Sequence, residues 1–143
     1  MEKLYRLLIT QIFVTVIMFA AVSLNASQCQ AAHWEQVASS SDIIVQIDAS
    51  TVDWVEYPDL GRNIVCSYKF IETDKSYIIR HCAFREIGGK PEYAIFEYTT
   101  FDGADNQREH KGNSTPTSDD YKPIIPGSDG ELFYEIAKMY VRK

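Results

Sequence analysis

Ile64-Val65-Cys66-Ser67-Tyr68-Lys69-Phe70-Ile71, Glu72-Thr73-Asp74-Lys75-Ser76 and Tyr77-Ile78-Ile79-Arg80-His81-Cys82-Ala83-Phe84 follow one another without a break. The first and third runs are rich in β-branched and aromatic residues, and the segment between them can turn but cannot bury. This is the pattern of a central β-hairpin. A tight turn centred on Asp74 pairs residues whose numbers sum to 148, so Ile71 meets Tyr77 and Cys66 meets Cys82.

Outward from the hairpin, Ile43 to Asp48 alternates as a strand with Ile43, Val45 and Ile47 inward, and Val52 to Glu56 reads as a short strand. Tyr57-Pro58-Asp59-Leu60-Gly61 breaks the chain. Gly88-Gly89-Lys90-Pro91 supplies a further turn, and Glu92 to Phe101 reads as a strand with Tyr93, Ile95 and Glu97 on one face and Ala94, Phe96 and Tyr98 on the other. Neighbours this close in sequence must run antiparallel. Asp102 to Lys122 has no apolar periodicity and reads as a long solvated loop, in which Asn113-Ser114-Thr115 matches the glycosylation acceptor.

The chain closes on an amphipathic helix. Leu132, Phe133, Ile136, Ala137, Tyr140 and Val141 recur at three- and four-residue spacing, Ser128 and Glu131 form a capping box, and Pro123, Pro126 and Gly127 deliver the helix stiffly. The expected fold class is α+β: an antiparallel sheet of five or six strands with one C-terminal helix on one face.

The 143 residues carry a formal charge of −6; Lys3 and Arg6 against Glu2 leave residues 1–31 at +1, so residues 32–143 hold −7. With no basic cluster, this balance argues against nucleic acid as a partner. Leu7 to Leu24 is an almost unbroken apolar run behind Lys3 and Arg6, the pattern of a secretory leader. The small residues Cys29 and Ala31 predict a signal peptide over 1–31 and one domain over 32–143, beginning near Ala32. The run is also long enough for an uncleaved membrane helix, and Cys29 is an alternative point of lipidation, with Gln28 against it.

Candidate chemistry is sparse. Cys66 and Cys82 with His81 beside them invite a metal or a thiol nucleophile, but successive strand residues point to opposite faces, and a structural disulfide is the better reading. His33, His81 and His110 are scattered over a terminus, a strand and a loop. Asp48 with Asp53, or Asp119 with Asp120, could be drawn as acid and base, yet turn charge accounts for them. No nucleophile elbow, phosphate loop or calcium loop occurs, so no catalytic residue, metal or cofactor is expected. Tyr57, Tyr93, Tyr98, Tyr121, Tyr134 and Tyr140 are read as half-buried sheet or helix residues, with exposed contact as the alternative.

Trp34 opening the mature chain, Ile47-Asp48-Ala49-Ser50, and Tyr121-Lys122-Pro123-Ile124-Ile125-Pro126-Gly127-Ser128 before Glu131-Leu132-Phe133-Tyr134 together resemble the bacterial surface-adhesin protein E-like domain family. The resemblance implies a sheet packed on a C-terminal helix and, for some members, adhesion to host extracellular-matrix or plasma proteins. Tyr121 stands where the family often has Trp, and the final helix lacks the cysteine that members commonly carry. The family's usual strand-to-helix disulfide is therefore unavailable here, which leaves Cys66 as the partner of Cys82.

These readings predict an exported, non-enzymatic cell-envelope or surface protein that binds extracellular proteins and meets the membrane only through its N-terminal segment. The alternatives are a periplasmic structural or stress protein, and a small-ligand carrier or hydrolase using a crevice between sheet and helix.

Overall fold

The computed structural model describes residues 31–141. The apolar run read as a leader and Cys29 lie outside the described residues. Eight strands and one helix follow in order: β1 (Trp34–Ser39), β2 (Ile43–Asp48), β3 (Asp53–Tyr57), β4 (Gly61–Glu72), β5 (Tyr77–Ile87), β6 (Lys90–Phe101), β7 (Gln107–Gly112), a 3₁₀ turn (Ser118–Asp120), β8 (Lys122–Pro123) and α1 (Asp129–Val141). They form one antiparallel sheet in the order β1-β2-β4-β5-β6-β7, with β3 also on β4 and β8 also on β6.

The class is the expected α+β, but the strand count is eight, above the expected five or six. Long strands explain the excess. β4 offers Tyr68–Glu72 to β2 and Gly61–Val65 to β3 along the same edge, while β6 offers Glu97–Phe101 to β7 and Glu92–Tyr93 to β8.

The central hairpin has the register predicted from its turn, with Ile71 opposite Tyr77, Cys66 opposite Cys82 and Ile64 opposite Phe84. Asp74 organises the turn by accepting hydrogen bonds through Oδ1 from the Ser76 backbone N–H at 2.8 Å and the Ser76 hydroxyl at 2.6 Å. At the next turn Gly88 and Gly89 both take positive φ, 58° and 77°, as a two-residue hairpin matching the sheet's twist requires.

Two sequence expectations are corrected in the distal part of the sheet. The stretch read as a loop from Asp102 to Lys122 contains a strand: β7 pairs with β6, and Asp102 closes the hairpin by accepting the N–H groups of Ala104 and Asn106, each at 2.9 Å. Every residue of β7 is exposed, so the strand had no apolar side chain to bury and left no alternation to read. The second correction is a bulge at Phe96, the unpaired residue between Ile95 opposite Cys82 and Glu97 opposite His81. One extra residue inverts the alternation. Tyr98, opposite Arg80, therefore shares the face of Ile95 and Cys82. Gly112 closes β7 against this bulge; a Cβ on it would lie 2.2 Å from the Phe96 carbonyl oxygen.

The helix covers one face, called here the helix face. Its core joins Val45, Ile47, Ile64, Cys66, Tyr68 and Phe84 to Tyr134, Ile136 and Ala137. Tyr68, fully buried, donates its hydroxyl to the Phe133 carbonyl at 2.6 Å, pinning helix to sheet. Tyr140 adds a second pin through a 2.6 Å hydrogen bond to the Glu35 carboxylate of β1. The opposite face, called here the open face, has a small core of Ala83, Ala94 and Phe96 with Val65 and Tyr121 against it. Tyr121 is the peg on that side: its hydroxyl donates to Oδ1 of fully buried Asn63 at 2.7 Å, and the Arg85 guanidinium lies 3.8 Å over its ring.

Ser128 immediately precedes α1, and its carbonyl accepts the N–H groups of Glu131 and Leu132 at 3.1 and 3.3 Å. The Glu131 carboxylate reaches past Ser128 to accept the Gly127 N–H at 2.7 Å. Only the carboxylate half of the box read from the sequence is formed, one residue ahead of its expected place, the Ser128 N–H being bonded to the Ile125 carbonyl at 3.1 Å.

Candidate functional site

Six adjacent strands span roughly 24 Å, whereas a helix is only about 10 Å wide, so one helix cannot cover a face. Two uncovered regions result. On the helix face, the first turn of α1 and the strands beside it line a crevice of about 510 Å³. Its floor includes Phe70, Ile78, Arg80 and Ile95, and its helical wall includes Leu132 and Phe133. Ile95 and Leu132 keep 38% and 48% of their surface exposed, a poor arrangement for side chains that merely complete a core. Ile43, expected inward, lies at the rim of this crevice with 39% exposed.

Arg80 is the one cation among the residues lining the crevice. Its guanidinium sits 4.7 Å over the Phe70 ring, and among the described residues it makes no ion pair. Glu72 and Asp129 also line the crevice without engaging it.

On the open face, alternation and register bring together an aromatic row that crosses four strands. Lys69 Nζ lies 5.7 Å from the Trp34 ring and 4.1 Å from the Tyr77 ring, and Tyr77 stacks on Phe101 with centroids 4.7 Å apart. Ile44, Ile71 and Ile79 share this face, all at least partly exposed. Trp34, Lys69, Tyr77 and Phe101 are each half-buried, and the Tyr77 hydroxyl donates to the Asp105 carboxylate of the β6–β7 turn at 3.0 Å.

The residues singled out in sequence fall elsewhere. Cys66 and Cys82 are opposed and buried beneath the helix, and both are free thiols in this structure. Burial raises both thiol pKa values, that of Cys82 to about 12, so neither acts as a thiolate nucleophile at neutral pH. His81 lies on the open face and shares a 2.9 Å hydrogen bond with the Ser67 hydroxyl.

That Ser67–His81 pair has the spacing of a nucleophile and its base. Its surroundings do not serve catalysis. Ser67 is only 4% exposed, its N–H is bonded to Thr51, and Glu97, the register partner of His81, contacts His110 at 3.4 Å. His33 lies ahead of β1, so the three histidines stand in separate elements. No metal-capable cluster of three or more side chains occurs among the described residues.

Three of the four carboxylates read as candidate acid and base, Asp48, Asp53 and Asp120, have structural duties. Asp48 is buried and accepts the His33 and Ser50 N–H groups and the Ser50 hydroxyl at 2.9, 3.0 and 2.6 Å. Asp53 accepts its neighbour Trp54's N–H, and Asp120 holds the 3₁₀ turn by accepting from Thr117.

Tyr68, Tyr121, Tyr134 and Tyr140 are likewise engaged in packing or hydrogen bonds to other elements. Trp34, Tyr77 and Phe101 are only partly buried and stand at strand ends, where sequence reading gave them no common face; the exposed Trp54, at 42%, lies apart on β3 beneath the Arg62 guanidinium. Only the register could have revealed the row: residues 71, 77 and 101 lie at one level of β4, β5 and β6. No family model matches the chain, and neither a curated protein nor a solved structure matches it.

Proposed function

We propose that the domain acts by binding rather than catalysis, as an exported cell-envelope or surface module that engages an extracellular protein through the open face of its sheet. The observation that carries this reading is the half-exposed row of Trp34, Lys69, Tyr77 and Phe101 on the face that the helix does not cover. Aromatic rings already stacked on a rigid sheet lose little freedom on association, and such residues dominate contact energies. Export rests on the leader pattern, and the choice of matrix or plasma proteins as partners rests on the adhesin-family resemblance. A charge of −7 on residues 32–143 favours a basic partner surface and an association that weakens with salt.

The test is binding of the exported protein to immobilised matrix and plasma proteins. Trp34→Ser with Tyr77→Ser should weaken binding at least about tenfold in a variant that circular dichroism shows still folded, with some loss of stability from the Tyr77 stack and hydrogen bond. Equal binding by the folded double variant would refute the open face as the contact surface. Failure of every panel member would favour the periplasmic role. Shortening the segment from Asp102 to Lys122 is a poor test, because it would remove β7 and bare the edge of β6.

A further inference from the structure

We infer that the crevice between α1 and the sheet is a binding site for a single-chain amphiphilic carboxylate of the fatty-acid class, with Arg80 holding the head group. Three features of the crevice converge on that chemistry. Its volume of about 510 Å³ lies within the range of small-molecule sites. Its walls are mostly apolar, and Ile95 and Leu132 remain exposed within it, so an alkyl chain would cover surface that the protein leaves wet.

The third feature is the charge. Arg80 stands on the floor in mid-strand, opposite Tyr68 and Tyr98, with its guanidinium over Phe70 and no carboxylate of its own. A guanidinium offers parallel N–H donors that match a carboxylate. Within an apolar crevice such a contact is only partly screened by water. The other charged groups that line the crevice are Glu72, at the end of β4, and Asp129, at the start of α1. Both are exposed, and both are anionic, so they disfavour a second acidic group on the ligand and select a molecule with one charge and a neutral tail.

The site is on the helix face and shares no residue with the aromatic row, so its failure would leave the open-face reading intact. The test is calorimetric titration of the exported protein with decanoate, decanol and decyltrimethylammonium, each below its aggregation concentration. Decanoate should bind most tightly, and Arg80→Met should weaken it roughly ten- to a hundredfold while leaving decanol unchanged. Methyl resonances of Ile95 and Leu132 should shift on binding. Absence of decanoate binding, equal affinity for the three probes, an Arg80→Met variant that binds decanoate normally, or shifts confined to Ile44 and Ile79 would each overturn the proposal. If Arg80→Met fails to fold, Leu132→Glu provides the check: at a 48% exposed position it preserves the core and should repel the carboxylate but not the alcohol.

Discussion

The two faces of this sheet are built from nearly the same residue types and do different work. On the helix face, Ile47, Tyr68 and Phe84 lie under α1 and hydrogen bonds from Tyr68 and Tyr140 hold the layers together. On the open face, Trp34, Tyr77, Phe101 and Ile79 lie under no helix: Tyr77 stacks on Phe101, takes Lys69 over its ring and donates its hydroxyl to Asp105 in the following turn, while the Tyr121 peg packs against a separate small cluster. The same apolar side chains are removed from water where a second layer lies over them and stay partly exposed where none does.

The sharpest way to break this comparison is to delete matched side chains on the two faces. Ile47→Ala, at a fully buried site under the helix, should cost about 2–5 kcal/mol. Ile79→Ala, at a half-buried site on the open face, should stay below about 1 kcal/mol. Urea midpoints measure both. Similar losses would mean that the open face is covered in solution.

The next effect concerns the cysteines beneath the helix. Their opposed positions and the oxidising compartment expected of an exported chain favour a disulfide between Cys66 and Cys82. Closing a loop of that length should contribute about 3 kcal/mol. Intact mass settles it, provided that the protein is unfolded before alkylation: burial holds the Cys82 thiol near pKa 12, so even a reduced pair would label slowly when folded. Two labelled thiols after unfolding would remove the bridge.

On the other side of the sheet, Tyr121→Phe should cost about 1–3 kcal/mol, because it leaves Oδ1 of the fully buried Asn63 without its donor. Trp at this position, the residue expected from the adhesin-like pattern, would carry its N–H elsewhere on a larger ring. Rescue by Tyr121→Phe combined with Asn63→Leu, measured as a double-mutant cycle, would isolate the buried bond.

What could be read in advance follows the same division. The central hairpin was legible because both arms are buried on at least one face and the Asp74 turn sets the register. The helix was legible because its apolar stripe must face the sheet. β7 was hidden by its full exposure, and the Phe96 bulge changes alternation without changing composition. The crevice was anticipated only as a rival idea. Its lining depends on where α1 stops covering the sheet, a tertiary fact with no local signature. The aromatic row was missed for the same reason, since its members come from four strands.

Alkaline pH should loosen both faces within one window. The Tyr140 phenol is pushed up to about 12, chiefly by its hydrogen bond to the Glu35 carboxylate, and Tyr121 is pushed up to about 12, chiefly by burial, with Arg85 opposing. Each is held neutral by the fold, whereas an unfolded chain ionises its tyrosines near pH 10. Their contribution is therefore complete below about pH 10 and declines as pH rises toward 12. Phenolate absorbance should show exposed tyrosines ionising first. Tyr140→Phe should remove one late-titrating group without changing the Tyr121 signal; simultaneous loss of both would show that the two faces unfold as a unit.

The smallest effect separates the helix cap from the helix pins. The serine before an acidic helix start ordinarily caps with its side chain, which would make Ser128→Ala costly by about 0.5–2 kcal/mol. Here the carbonyl of Ser128, retained by any residue, accepts the helical N–H groups, and the Glu131 carboxylate takes the Gly127 N–H. Ser128→Ala should accordingly change stability by less than about 0.5 kcal/mol. Glu131→Ala should cost about 0.3–1 kcal/mol, since it removes both that bond and a negative charge at the positive end of the helix. The charge part is screened by salt and the hydrogen bond less so, so measuring both variants at low and high ionic strength divides the two contributions. A larger loss from Ser128→Ala than from Glu131→Ala would mean that the first turn of α1 is capped by the serine hydroxyl in solution. The N-terminal wall of the crevice would then have to be redrawn, because Asp129, Gly130 and Leu132 all take their positions from that turn.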